Sequence, residues 1–318
     1  DATHLERTLE ASASSTLHRF HLTGLSPDTR YYYQAGSAPG APDVSSINTF
    51  KTAPYESEEF NALFISDTQE VLGIGFCNTV GAAIDRISDA AFLVNAGDLT
   101  QVAEDQASWN LYFHESPYLD HIPLVPCPGN HDAIDSPESQ YTKYFGVTAN
   151  ERDVFYSFEW GPVLFVVAQI GSRGHVDPNN PRNAIPYKWL NDTLANGQDK
   201  RYRVLIYHIN NLDVMAPLVE KYNVSLAIHG HAHSYTRSCI NGHTYVCLGN
   251  GATLQEDLVL AKPQIRRKTN GAGFTRLTFT AKGIALATFT PTMDIMDEVF
   301  LRREGDSPIL VPDETRFN

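Results

Sequence analysis

The sequence predicts an α/β domain built on a largely buried sheet, preceded by a shorter all-β segment. Three observations predict this arrangement. From Phe60 onward, short apolar runs alternate with segments of helical periodicity. Residues 1–54, in contrast, carry strand and turn patterns only. The chain has 318 residues, of which 42% are hydrophobic and 19% are charged, so it can bury a substantial core and has a globular composition.

The all-β segment contains three predicted strands. Residues 17–34 read as a strand, a Pro-Asp turn and a second strand that carries three consecutive tyrosines, 31–33. A Gly/Ala/Pro/Ser-rich loop, 35–46, leads to a short strand at 48–51. The tyrosines fit alternate burial in a β module, or alternatively a ligand-binding aromatic surface.

This segment, LHRFHLTGLSPDTRYYYQ, resembles the C-terminal half of a fibronectin type III module. The resemblance implies that about four strands of the module would precede Asp1, because the segment is too short to close a sandwich. The expected division is a partial module over 1–54 and the α/β domain over 55–318. Because the chain begins at Asp1 without Met, a processed or truncated product is expected, and an exported origin stays open.

Six apolar runs of four to six residues predict the strands of the α/β domain. They are residues 62–65, 92–95, 123–127, 163–168, 203–207 and 225–228. Between the first two, Val80, Ala83, Ile84 and Ile87 recur with helical period, and 185–195 is a second candidate helix. Residues 274–280, 283–288 and 298–301 predict a closing β meander.

Charge and cysteine usage exclude several classes of function. The chain carries 24 Lys and Arg against 37 Asp and Glu, a net charge of −13, and its longest basic run is residues 266–268. Duplex nucleic-acid binding is therefore not expected. No apolar run approaches the roughly 18 residues of a transmembrane helix. The four cysteines show no CxxC spacing, which argues against a zinc ribbon or a thioredoxin-like site.

Two cysteines flank a predicted hairpin turn at Asn241-Gly242. That register puts Cys239 opposite Thr244 and leaves Cys247 on the other face of the hairpin. A disulfide between Cys239 and Cys247 would therefore need a register shift.

A side chain able to bind metal follows five of the predicted strands. In chain order the motifs are Asp67-Thr-Gln69, Gly-Asp98, Gly-Asn130-His131-Asp132, His208 and His229-Gly-His231-Ala-His233. Each alone fits a turn or a structural histidine. Together they predict a dinuclear metal site, because the carboxyl ends of the strands in such a sheet converge and clustered carboxylates need cations.

This order of motifs, with FYSFEWGPVLFVV and YKWLNDTL following the Asn-His motif, resembles the calcineurin-like metallophosphoesterase superfamily over about residues 58–303, and its purple acid phosphatase branch in particular. The resemblance implies a four-layered α/β/β/α sandwich and two divalent metals, Mn, Fe, Zn, Mg or Ca. It implies that Asp98 bridges the metals. Metal one would be held by Asp67, Asp98 and His233, and metal two by Asp98, Asn130, His208 and His231.

The resemblance also implies roles outside the ligand set. A water activated by the metals would attack the phosphoryl group, His131 would be the general acid, and Asp132 would orient His131. Arg173 and His175 would contact substrate, the alternative being a solvated loop. His229 is expected to pack behind the site.

Two positions depart from the purple acid phosphatase pattern. Gln101 stands where those enzymes have a tyrosine that ligates ferric iron, so no colour is expected. Gln69 stands where other branches have a histidine ligand. It would either coordinate metal one, favouring harder ions, or hydrogen-bond to a metal-bound water.

The expected function is metal-dependent hydrolysis of a phosphate monoester, with a phosphorylated small molecule or nucleotide as substrate. Phosphodiesterase or nucleotide pyrophosphohydrolase activity is the enzymatic alternative. A metal-stabilised protein that binds a surface or a polymer is the non-enzymatic one. The β module predicts a secreted or periplasmic location.

Overall fold

The computed structural model describes residues 5–11, 15–37, 43–56, 59–69, 74–132, 139–146, 154–169, 184–249, 251, 265–269, 271–305, 307 and 309–313. The strands are β1 (Arg30–Tyr33), β2 (Asn48–Lys51), β3 (Phe60–Ile65), β4 (Ala90–Asn95), β5 (Leu124–Pro126), β6 (Val154–Trp160), β7 (Val163–Gln169), β8 (Tyr202–Ile206), β9 (Leu226–His229), β10 (Tyr235–Ile240), β11 (His243–Leu248), β12 (Ile265–Thr269), β13 (Phe274–Thr280), β14 (Gly283–Phe289), β15 (Ile295–Arg303) and β16 (Leu310–Asp313). The helices are α1 (Ile74–Arg86), α2 (Gln106–His114), α3 (Tyr141–Phe145), α4 (Ala184–Asn196) and α5 (Leu212–Lys221), with a 3-10 turn at Pro117–Asp120.

Two seven-stranded sheets form the body of the molecule. The first has the order β16-β15-β14-β13-β3-β4-β5 and the second β12-β10-β11-β9-β8-β7-β6. Strands β3, β4 and β5 are parallel to one another, as are β7, β8 and β9. The carboxyl ends of each parallel set therefore lie at one edge of its sheet.

The hydrophobic core divides into three clusters that define four layers. Between the sheets, Phe92 of the first sheet and Phe165 of the second meet edge to face, with ring centroids 5.1 Å apart. On the outer face of the first sheet, Val80 of α1 and Trp109 of α2 are buried. On the outer face of the second sheet, residues of α4 and α5 such as Leu190 are buried. The layers run α/β/β/α, which confirms the predicted fold class.

The predicted elements of the α/β domain are confirmed. All six apolar runs fall on strands β3, β4, β5, β7, β8 and β9, and the closing meander is β13 to β15. Both predicted helices exist as α1 and α4. In the described parts of the chain, no helix has the length and apolar character needed to cross a membrane.

The first predicted strand of the N-terminal segment is wrong. Residues 17–23 form no strand, because an extended segment becomes one only when it pairs, and β1 pairs with β2 in the two-stranded sheet that the structure describes. The second and third predicted strands are β1 and β2, and Tyr31 stacks on Phe50 across them at 5.6 Å. The hydroxyl of Tyr33 donates to the backbone carbonyl of Asp120, which attaches this sheet to the α/β domain.

The predicted hairpin register is confirmed. Cys239 lies opposite Thr244, and Cys247 lies opposite Thr236. The two cysteines form no disulfide with each other, so the bridge that a register shift would have allowed is absent at this pair.

Candidate metal centre

The predicted ligand side chains converge at the carboxyl edges of the two parallel strand sets. They follow β3, β4, β5, β8 and β9, and are Asp67, Asp98, Asn130, His208, His231 and His233. Among the described residues, two overlapping groups have ligand atoms that all lie within 4.8 Å of one another. One group is Asp98, His208 and His231, and the other is Asp67, Asp98 and His233.

Asp98 is common to both groups and is almost completely buried. Its Oδ2 lies 3.1 Å from Nε2 of His208 and accepts a hydrogen bond of 3.3 Å from Nε2 of Gln69. Its Oδ1 accepts a 2.8 Å hydrogen bond from the backbone N–H of His131. The carboxylate is therefore held at both oxygens by residues from three different loops.

Asp67 is held by the loop that follows β9. Both of its carboxylate oxygens accept the backbone N–H of His231 at 3.0 Å. Its Oδ1 lies 3.5 Å from Nε2 of His233. On the other side of the site, Nδ1 of His208 lies 2.9 Å from the carbonyl of Ala96, so that Nε2 is the nitrogen presented to Asp98.

The buried charges of the centre perturb one another. Burial raises the pKa of the Asp67 carboxyl, and the negative charge of Asp98 adds to the rise. Burial acts in the same direction on Asp98, but the charge of His208 holds its pKa below the ordinary value. Burial acts to lower the pKa of His208, yet Asp98 and Asp67 together raise it to about 9. With no cation bound, a proton on His208 would partly neutralise the two buried carboxylates.

Two amides complete the shell around the carboxylates. Oδ1 of Asn130 is buried, and no described residue donates a hydrogen bond to it. Gln69 is 1% exposed, and its Nε2 lies 3.3 Å from Nε2 of His233 as well as from Asp98. A flip of the Gln69 amide would place Oε1, instead of Nε2, beside Asp98 and His233. A cation there could bind Gln69, Asp98 and His233 together. An orphaned carbonyl oxygen and a convergent amide both fit hard divalent cations.

His131 and Asp132 have separate environments. Nδ1 of His131 lies 3.1 Å from the backbone carbonyl of Gln101, which fixes the ring. The carboxylate of Asp132 accepts hydrogen bonds from backbone N–H groups of Leu99, Thr100 and Gly129. Among the described contacts, Asp132 hydrogen-bonds to these backbone groups and not to the His131 ring, so it does not orient that ring by direct contact. Burial raises the pKa of the Asp132 carboxyl to about 7.

His229 falls outside the two ligand groups. His229 is buried, stacks on Tyr207 at 5.6 Å, and approaches the carbonyl of Gly230 through Nδ1 at 3.1 Å. Burial lowers its pKa to about 4, so it is a neutral packing residue. Arg173 and His175 lie outside the described residues.

Sequence reasoning missed the part that glycines play in this centre. A Cβ on Gly129 would lie 2.0 Å from Oδ1 of Asp98, and one on Gly230 would lie 2.4 Å from Oδ2 of Asp67. Both glycines occur in the motifs, where they were interpreted only as turn residues. Glycine directly precedes Asp98, Asn130 and His231, and this recurrence is the signal that could have revealed the close approach of loop backbone to carboxylate.

Comparisons with known proteins give a consistent family and fold. The sequence profile described as calcineurin-like phosphoesterase matches residues 60–235, more than half of the 318-residue chain. Purple acid phosphatase 23 of Arabidopsis thaliana is 24% identical over 308 residues, covering 76% of this chain and 64% of that protein.

Two solved structures share the fold. A purple acid phosphatase from yellow lupin (Lupinus luteus) seeds superposes with a TM-score of 0.74 at 20% identity, covering 90% of this chain and 62% of that one. GAP50, described as the anchor in the inner membrane complex of Plasmodium, gives a TM-score of 0.66 at 14% identity, covering 79% of this chain and 91% of that one. The chain therefore spans less than two thirds of the length of either plant phosphatase.

Proposed function

This chain belongs to the calcineurin-like phosphoesterase family, and from that membership we propose that it hydrolyses phosphate monoesters with a pair of divalent metal ions. The observation that carries the proposal is the pair of overlapping ligand groups that share Asp98. A shared buried carboxylate between two sets of ligands is the arrangement that a dinuclear centre requires.

We assign the ligands as two sets. Asp67, Asp98, His233 and the amide oxygen of Gln69 would hold metal one. Asp98, His208, His231 and the amide oxygen of Asn130 would hold metal two. The raised pKa of Asp67 and the orphaned oxygen of Asn130 support this assignment, because a cation would relieve both. The first set is richer in oxygen donors and suits Mn, Fe(II), Mg or Ca, whereas the second has two imidazoles and also suits Zn.

Bound metals would supply Lewis acidity toward the phosphoryl oxygens and would lower the pKa of a water molecule. The protein's own contribution is to orient ligands and to move a proton. His131 is assigned as the general acid. With Nδ1 at the carbonyl of Gln101, Nε2 is the ring nitrogen that can carry the proton for the leaving-group oxygen. Its partial exposure allows it to reach a substrate.

Arg173 and His175 remain proposed substrate contacts for the phosphorylated small molecule or nucleotide. The rival reactions are hydrolysis of a phosphodiester or of a nucleotide pyrophosphate. The rival without catalysis is a binding protein, and the fold shared with GAP50, an anchor by its description, favours keeping that rival in the test. The clustering of five predicted ligands in two overlapping groups favours an enzyme, because a purely structural metal needs a closed site rather than two shared ones.

The deciding experiment is metal analysis combined with a panel of phosphoesters. The purified protein is expected to hold two divalent ions and to hydrolyse monoesters faster than diesters. His131→Gln serves as the matched variant, because it is expected to keep the metals and lose turnover. Two bound metals with no hydrolysis of any ester would support the binding protein, and preferred cleavage of diesters would support the phosphodiesterase.

The N-terminal segment is proposed to belong to a fibronectin type III-like module over 1–54, separate from the catalytic domain over 55–318. Pairing of β1 with β2, rather than with either seven-stranded sheet, supports the division. The segment is joined to the rest of the chain by hydrogen bonds such as those from Tyr33 to Asp120 and from Arg19 to Thr142. Limited proteolysis is expected to cut near residue 55 and leave the catalytic domain intact. The module also supports a secreted or periplasmic location, and recovery of the protein from the cytosolic fraction of its source cells would contradict it.

A further inference from the structure

Asp132 is a fully buried carboxylate that joins two loops of the candidate centre. The backbone N–H of Leu99 donates to both of its oxygens, at 3.1 and 3.2 Å, and that of Thr100 donates to Oδ1 at 3.3 Å. The backbone N–H of Gly129 donates to Oδ2 at 2.7 Å. One side chain therefore fixes the loop that follows β4 and the loop that follows β5.

Those two loops carry the shared ligand and the assigned acid. Asp98 directly precedes Leu99, and the carbonyl that holds the ring of His131 belongs to Gln101, further along the same loop. From the other side, the backbone N–H of His131 donates to Asp98. Movement of either loop would thus displace both the carboxylate and the imidazole.

We propose that Asp132 is a positioning residue that sets the distance between Asp98 and His131 through the backbone, without touching metal or substrate. The inference rests on the proposed function and adds a residue whose role is geometric. It predicts that the acid and the metal ligand lose their alignment together when this carboxylate is altered.

The chemistry of the contacts explains why a carboxylate is needed. Three N–H donors converge on the side chain, and both of its oxygens accept. Asparagine has the same shape but offers one acceptor oxygen, and its NH2 group would face a backbone N–H. Asp132→Asn therefore removes hydrogen bonds at constant volume and leaves a buried donor unsatisfied.

Arg203, near the amino end of strand β8 in the second sheet, provides a matched control. It is 1% exposed and likewise joins two loops through backbone hydrogen bonds, donating to the carbonyls of Gly197 at 3.2 Å and Tyr222 at 3.1 Å. It lies near the start of β8, whereas His208 follows the other end of that strand. Arg203→Lys loses comparable loop contacts without altering the centre.

The experiment compares wild type, Asp132→Asn and Arg203→Lys in the full chain. Calorimetric titration of the metal-free proteins with Mn²⁺ measures affinity, and kcat is measured for nitrophenyl and alkyl phosphates. Asp132→Asn is expected to weaken Mn²⁺ binding about 10- to 100-fold, the usual effect of losing a residue that orients a ligand. It is also expected to raise the nitrophenyl-to-alkyl ratio of kcat about tenfold, because leaving groups that need protonation suffer most.

Arg203→Lys is expected to lower the melting temperature while leaving the Mn²⁺ affinity and the kcat ratio unchanged. Equal behaviour of the two variants would overturn the proposal, since Asp132 would then contribute only to stability. If Asp132→Asn does not fold, Asp132→Ser, which admits water to the vacated place, undergoes the same measurements and the same criterion. Failure of the wild-type protein to bind Mn²⁺ would instead contradict the proposed function.

Discussion

Asp98→Asn should be the most damaging single change to the proposed centre, because both candidate ligand groups use this carboxylate. The ligand atoms of each group lie within 4.8 Å of one another, so a cation among them is a near neighbour of Asp98. At a separation of about 4 Å and an effective dielectric constant of about 20, each pair of unit charges contributes roughly 4 kcal/mol. Losing it corresponds to about 10³-fold in affinity, so we expect loss of at least one metal and of nearly all turnover.

The same substitution at Asp105 is the control. Asp105 caps α2, where its carboxylate accepts the backbone N–H groups of Ala107 and Ser108, and asparagine is an equally good cap. Wild type, Asp98→Asn and Asp105→Asn are compared by metal content after equilibration with excess ion, and by turnover of nitrophenyl phosphate. Two metals and normal turnover in Asp98→Asn would refute the shared-ligand assignment.

Three further predictions concern protons and metals. His131→Ala should keep the metals and slow turnover, most for esters with poor leaving groups, and an equal loss for nitrophenyl and alkyl phosphates would argue against a general acid. The metal-free protein should lose stability as pH rises. Although burial opposes it, the neighbouring carboxylates raise the pKa of His208 to about 9, so its stabilising proton is present below about pH 6.5 and is lost through pH 9. A melting temperature that rises over this interval would contradict that origin. Because Gln101 supplies no phenolate, the metal-loaded protein should be colourless with a neutral or alkaline optimum; an intense visible band with an acidic optimum would show that a tyrosine reaches the metal.

Local pattern was sufficient to predict the strands that carry the site. Each parallel strand is a short apolar run, and the polar residue that follows it marks where the chain leaves the core, so the strand ends could be read directly. The helix α5 was not predicted, because it contains Pro217, which removes a helical hydrogen bond. Burial of Val214 and Leu218 against the second sheet outweighs that cost, and such packing is not visible in the local sequence.

The sequence predicts the ligand side chains of the candidate site but not the backbone contacts that orient them. Asp67, Asp98 and the histidines belong to recognisable motifs, whereas the contacts that orient them are made by the backbone. The carbonyl of Gln101 and the N–H groups that bind Asp132 have no side-chain signature. Only the three-dimensional approach of two loops brings these groups together. Residue types alone could suggest that Asp132 acts on His131, but not that the two are linked through the backbone of these loops.

The backbone at the centre carries a conformational cost. Asp67, Asp98, His231 and His233 all have positive φ, at 57°, 53°, 73° and 27°. Each such residue costs roughly 1 to 2 kcal/mol, so the four together oppose folding by an amount comparable to the whole stability of a marginal domain. Hydrogen bonds such as those from His131 and His231 to the carboxylates hold the strained geometry in the metal-free chain. Metal binding to the folded state would add stabilisation that the unfolded chain lacks, which offsets the strain and makes occupancy and folding mutually dependent.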